Sequence, residues 1–473
     1  MTSVVLDGVR THHFGIASEP AAPREVGDLL EAIVSASPSP ASLARLHEVL
    51  ARQSAVDLAD DLVKELRARA LPQEPLHWVA RHLTEYGSAR NTVKLGIVVL
   101  GECGDERDRE LLLLLGAIEE LTLYAVVALV KTRPDRQRAA YELARRVKGW
   151  GRIHAVERLE GSDDAEIKAW LLREGFRNDV MDEYLAHLAA TTGDLYTALL
   201  EPDVDKALLE GAGGILAALA LGGPAKDMTD YDDGVPAMHR YAELVSTAEP
   251  TLGMLDHLLT VRRCALSSDM DVAWPEGEPE RLARRYEALL ARPVWRELVL
   301  AHLSDPCGTG PYGFNVALSC AGRLDMPVLP QVLDHLEREP FNAYAWQWGV
   351  NHSDSETITS VVTLAMRVLP LDALASGPAN SQGFGPEHAP DRALEAVING
   401  LDKHPGIGLD LFRVALSNPV VRIRHHALRT LTTWPAEGRL SQIQDWISAA
   451  AAAEPDGELQ GKMQAFLDDR TTP

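Results

Sequence analysis

The sequence predicts an all-α protein, a long series of short helices joined by short turns and stacked as an α-solenoid. Three observations carry this. Hydrophobic residues make up 46% of the 473 residues but aromatics only 5%, so the core must be built mainly from Leu, Ala and Val. Such side chains favour helix packing over a β-sandwich. Apolar residues recur at helical spacing almost from end to end, and no run of alternating strand residues interrupts them.

Residues 1–23 read as an N-terminal arm that ends in SEPAAP, with strand character at SVVL. From Arg24 the helical patterns begin. REVGDLLEAIVSA, PASLARLHEVLARQ, VDLADDLVKELRARA and PLHWVARHLTEYG follow one another, each spanning three or four turns. Pro, Ser, Asp or Asn marks the starts, as in SPSPAS, GSDDAE and SNPVV. Glycine marks many stops, as in EYGS and ECGD. Residues 24–221 form the expected N-terminal set of repeats, 222–236 an irregular acidic connection, and 237–473 the C-terminal set. Two further breaks fall at 267–280 and 375–390. The second, ASGPANSQGFGPEHAP, is too long for an ordinary helix–helix turn.

Lys and Arg number 46 against 69 Asp and Glu, a net charge of −23. Such a surface favours solubility and repels nucleic acid and anionic membrane. The most apolar runs, LLLLLGAI (111–118) and ILAALALGG (215–223), are too short to span a bilayer. The N-terminus lacks a basic stretch followed by an apolar one. Cys103, Cys264, Cys307 and Cys320 form no C-x-x-C pair. The expectation is a cytoplasmic protein with reduced thiols.

Two distant octets share a pattern: RIHAVERL (152–159) and RHHALRTL (424–431). At about 100° per residue, Arg424 falls inside the apolar stripe formed by Val420, Ala427, Leu428 and Leu431. Arg152 repeats this placement beside Ala155, Val156 and Leu159. His154 and His426 lie towards the edge. An arginine on a packing face must satisfy its guanidinium, and its planar fork suits a carboxylate or the carbonyls of an adjoining turn. The expected role of Arg152 and Arg424 is therefore structural.

At 418–431 the chain resembles HEAT repeats, whose second helix often follows an Asp-Pro type of turn and carries (Val/Ile)-Arg-x-x-Ala-(Leu/Ala)-x-x-Leu. Asn418, Pro419, Ile423, Arg424, Ala427, Leu428 and Leu431 fit that pattern. The match at 152–159 is shorter, because GWG replaces the Asn-Pro turn. The resemblance implies an armadillo-like α-solenoid of irregular HEAT-like helical hairpins, of bacterial type, in which the arginine joins contacts between successive repeats. It identifies no reaction.

Motifs for chemistry mostly fail. LHEVLA lacks the second His of a zincin, ELQGKM lacks the first Walker glycine, and DMTDYDDG lacks the spacing and terminal Glu of a calcium loop. No catalytic residue, metal site or cofactor is selected. The segment 131–158 carries nine basic residues against three acidic ones. Arg133, Arg136, Arg138, Arg145, Arg146 and Lys148 form a basic patch there, read first as a solvated, internally paired face and second as a docking patch for nucleic acid or an acidic partner.

In FNAYAWQWGVNHSD (341–354), Phe341, Tyr344 and Trp348 share a stripe expected in the core, while Trp346 points elsewhere. Rigid aromatics often carry interface energy. With the loop at 375–390, this gives candidate binding residues Tyr344, Trp346, Gln382, Phe384 and His388. The favoured function is a non-enzymatic interaction scaffold presenting a solenoid surface to a protein or peptide. Two alternatives stay open: a nucleic-acid enzyme resembling the HEAT-like alkyl-DNA glycosylases, and an accessory or lyase-like protein that binds a small ligand.

Overall fold

The computed structural model describes residues 22–36, 38–132, 135–267, 272–304, 306–435 and 441–468, with the backbone alone at 306–312 and 441. The arm expected at 1–23 lies outside the described residues up to position 21, and the first helix begins at Ala22. The described residues form 27 α-helices, short 3-10 turns and one π turn. They contain no strand beyond a single parallel bridge between Ser381 and Val420. The protein is all-helical. No helix among the described residues is long and apolar enough to cross a membrane.

The chain divides into two compact units. Of the described residues, the first unit holds those from Ala22 to Glu249 together with His257–Ala291, and the second holds Pro250–Asp256 together with those from Arg292 to Asp468. In the first unit the helices are α1 (Ala22–Ser35), α2 (Pro40–Arg52), α3 (Ala55–Arg69), α4 (Gln73–Tyr86), α5 (Arg90–Cys103), α6 (Arg109–Gly116), α7 (Glu119–Thr132), α8 (Arg136–Ala144), α9 (Gly149–Glu157), α10 (Ala165–Trp170), α11 (Glu183–Thr192), α12 (Leu195–Leu200), α13 (Lys206–Leu221) and α14 (Gly234–Thr247). Then come α15 (Leu252–Leu266), of which the part from His257 belongs to this unit, and α16 (Glu278–Leu290). Successive odd-numbered helices from α1 to α13 pack as neighbours, and the intervening helices pack beside them. Short turns make consecutive helices antiparallel neighbours, which brings every second helix alongside.

Side-chain caps fix many of the helix starts. Asp135, Asp164 and Asp205 accept from backbone N–H groups of α8, α10 and α13, which satisfies donors the helix itself cannot. α13 is buried on most sides. Its Gly211 has to be glycine, because a Cβ there would sit 1.9 Å from the Leu172 carbonyl oxygen. Leu172 belongs to the π turn Leu171–Gly175 that continues α10. Residues 222–236 lie within this unit and hold a 3-10 turn, Met228–Asp230, capped by Asp227.

The second unit continues with α17 (Val294–Ser304), α18 (Pro306–Arg323), α19 (Leu329–Arg338), α20 (Ala343–Asn351), α21 (Ile358–Val368), α22 (Leu371–Leu374), α23 (Ala389–Gly400), α24 (Leu409–Leu416), α25 (Val421–Thr433), α26 (Ser441–Ala453) and α27 (Gly457–Asp468). One row runs α18, α20, α23, α25, α27, each packed on the next. Across from it α17, α19 and α21 pack in series, as do α22, α24 and α26. The core between the rows includes Trp346, Leu394, Ile398, Phe412, Ile423 and Trp434, all fully buried.

The two octet arginines lie in these interfaces. Arg424 is fully buried. It donates to both carboxylate oxygens of Glu454 and to the carbonyls of Ala379 and Asn418. Arg152 is 7% exposed and donates to the carbonyls of Val147 and Arg177, with its guanidinium over the Trp170 ring.

Candidate functional site

Three neighbouring helices of the second unit turn polar stripes to the same side. α20 starts at the cap Asn342, which accepts from the Ala345 N–H. It buries Ala345, Trp346, Trp348, Gly349 and Val350, which leaves Tyr344, Gln347 and Asn351 outward. α23 buries Ala393, Leu394, Val397 and Ile398 and leaves Arg392, Glu395 and Asn399 on its open side. α25 buries Ile423, Arg424, Ala427, Leu428 and Leu431 and leaves Arg422, His426 and Arg429. The period of each stripe is that of a helix with one packed face.

Because α20 packs on α23 and α23 on α25, the stripes adjoin. A cleft of 390 Å³ between α20 and α23 is lined by Tyr344, Gln347, Asn351, Arg392, Glu395 and Asn399. A second, wider cleft of 1210 Å³ lies between α25 and α27, where His425, His426, Arg429, Thr433, Lys462 and Phe466 meet.

A network fixes the floor between the clefts. Arg422 donates to both oxygens of Glu395, each at 2.9 Å. His426 Nδ1 lies 2.8 Å from Glu395 Oε1 and 3.1 Å from Asn399 Nδ2. Arg429 donates to Asn399 Oδ1 at 3.3 Å. Arg392 donates to the Gly385 carbonyl at 2.9 Å, which ties this face to the preceding loop. Burial pushes the Glu395 carboxyl up, but the contacts from His426 and Arg422 outweigh it and hold the group below the usual carboxylate range. Glu395 is thus an anion held between two basic groups.

The candidate binding residues separate in this geometry. Tyr344 is 40% exposed and lines the first cleft. Trp346 is fully buried, and its indole N–H donates to the Pro340 carbonyl at 2.8 Å. The expected stripe is corrected in part: Trp348 is buried as expected, but Tyr344 is exposed, and Phe341 is exposed and precedes the cap Asn342, so the packed face runs through Trp346 and Val350 as well as Trp348. Gln382 and Phe384 are exposed on the loop, Phe384 at 74%. His388 lies 2.8 Å from Asp391, whose other oxygen accepts from Asn418. His388 thus anchors the loop to the start of α23.

In the basic segment, Arg133 lies outside the described residues. Arg138 pairs with Asp164 and Glu166, and Lys148 with Asp179. Arg145 lies over the Tyr141 ring, and Arg136, Arg145 and Arg146 are exposed.

Two further features lie outside these candidates; the first has a sequence signal, the i, i+4, i+8 spacing of its three rings, and the second has none. Trp78, His82 and Tyr86 form a stack along α4, with Trp78 49% and Tyr86 71% exposed. Beside it, His77, Asp105 and Asp108 converge closely enough to suggest metal ligands. Their charges are already met: Asp108 accepts from Arg81 and contacts His77, and Asp105 accepts from Arg107. This suits an ion-pair network better than a cation site. The described thiols are not activated either, since burial pushes Cys103 and Cys320 up to about 12 and Cys264 up to about 11.

No protein-family model and no curated protein matches this chain.

Proposed function

We propose that this protein is a non-enzymatic interaction scaffold, an α-solenoid of irregular HEAT-like hairpins that holds a peptide segment of a protein partner along α20, α23 and α25. The observation that carries this reading is the run of three adjoining polar stripes over a continuous apolar core, with a pre-ordered network at Glu395 and clefts on both sides of it. A face of this kind offers many hydrogen-bonding groups over an extended surface, which suits a chain more than a small molecule. In the same reading Arg152 and Arg424 are structural groups that join successive hairpins.

A photo-crosslinking side chain placed at Gln347 or Asn399, with Asp334 on α19 as control, tests it. Peptide adducts should form from 347 and 399 and not from 334. Equal adducts at all three positions, or none, would reject the reading.

A further inference from the structure

We infer that the face of α20, α23 and α25 recognises a carboxylate-rich segment, rich in Asp and Glu, of a protein partner. This rests on the scaffold reading and names the chemistry of what that face holds.

The chain carries a net charge of −23, yet this face is basic. Arg392, Arg422, His426 and Arg429 lie on it; among the described residues Glu395 is the one acid lining the cleft between α20 and α23, and Asp468 the one acid lining the cleft between α25 and α27, where Lys462 adds a further positive charge. That glutamate is already shared by Arg422 and His426. Arg392 and Arg429 have no ion-pair partner among the described residues, and each reaches only a neutral oxygen, of Gly385 and Asn399 respectively.

Each guanidinium keeps donors free for a planar, two-point acceptor such as a carboxylate. Packed helices stand about 8–10 Å apart. Side chains on one side of an extended peptide repeat at about 6.6–6.8 Å. Carboxylates on a flexible or extended segment can therefore meet arginines on α23 and α25 in turn. Phosphate groups of nucleic acid would meet the same arginines, but a polyanion that extends past this face encounters an acidic molecule. A short acidic stretch within a mixed protein sequence avoids that repulsion.

The test uses the full chain and four labelled probes: a 12-residue Glu/Ser peptide, its Gln/Ser and Lys/Ser counterparts, and a 12-nucleotide oligothymidylate. The parent should bind the Glu/Ser peptide, more weakly as salt rises, and the Arg392→Glu/Arg429→Glu double variant should lose roughly tenfold or more. Arg392→Gln/Arg429→Gln serves if the charge reversal unfolds the unit, and should lose affinity in the same direction. Failure of the parent to bind the Glu/Ser peptide overturns the inference, as does equal binding by a folded double variant or tighter binding of the oligonucleotide. If the Glu/Ser peptide fails while adducts still form from 347 and 399, the acidic specificity falls and the scaffold reading stands. If those adducts are missing too, both fall.

Discussion

Arg424 and Glu454 form a two-point ion pair, Nε to Oε2 at 2.7 Å and Nη2 to Oε1 at 2.5 Å, with neither side chain exposed. The pair joins α25 to the segment between α26 and α27, and the remaining nitrogen, Arg424 Nη1, donates to two carbonyls.

Removing one partner strands a buried charge, so Arg424→Ala and Glu454→Ala should each destabilise the second unit by about 3–5 kcal/mol. A matched apolar pair, Arg424→Met with Glu454→Leu, should recover most of that loss. Denaturant unfolding of the four proteins checks this. Single variants with unchanged midpoints would show that the pair contributes nothing.

Trp346 and Phe384 should respond in opposite ways. Trp346→Ala empties a fully buried site and deletes the bond to Pro340, and should cost about 3–5 kcal/mol. Phe384→Ala removes an exposed ring and should stay within about 0.5 kcal/mol of the parent. Thermal melts decide between them, and equal losses would contradict the burial.

His335 gives the second unit a pH dependence. Burial, and then the Arg338 charge, lower its pKa from 6.5 to about 4. The folded state therefore holds it neutral where the unfolded chain takes up a proton. Stability from this group is present above about pH 6.5 and is lost as pH falls towards 4. Between about pH 6.5 and 5, before most carboxylates titrate, the loss should be on the order of 1 kcal/mol. Denaturant midpoints for the parent and His335→Gln over this range should converge at lower pH. Parallel curves would remove His335 from the explanation.

Single-stranded nucleic acid should bind weakly through the basic segment of α8 and its following turn. Neutralising Arg145 and Arg146 should reduce the slope of log affinity against log salt by about 0.7 for each phosphate these arginines would otherwise neutralise. Filter binding at several salt concentrations measures it. A salt-independent affinity would point to a different kind of site.

The helical periods and turn residues in the sequence determined that the chain is helical, because backbone propensity and one-sided apolar spacing are local properties. The same arithmetic placed Arg424 inside the packed stripe of α25. It could not choose Glu454, 30 residues further on, since nothing local distinguishes that glutamate from its many neighbours. Nor could it orient Trp346, whose burial depends on Asn342 ending the stripe before Phe341. The polar stripes of α23 and α25 read as ordinary solvated faces when each helix is taken alone. Only packing brought Glu395, Asn399, Arg422, His426 and Arg429 into one network, because side chains about 27 to 30 residues apart meet only when the helices between them fold back into adjacent rows.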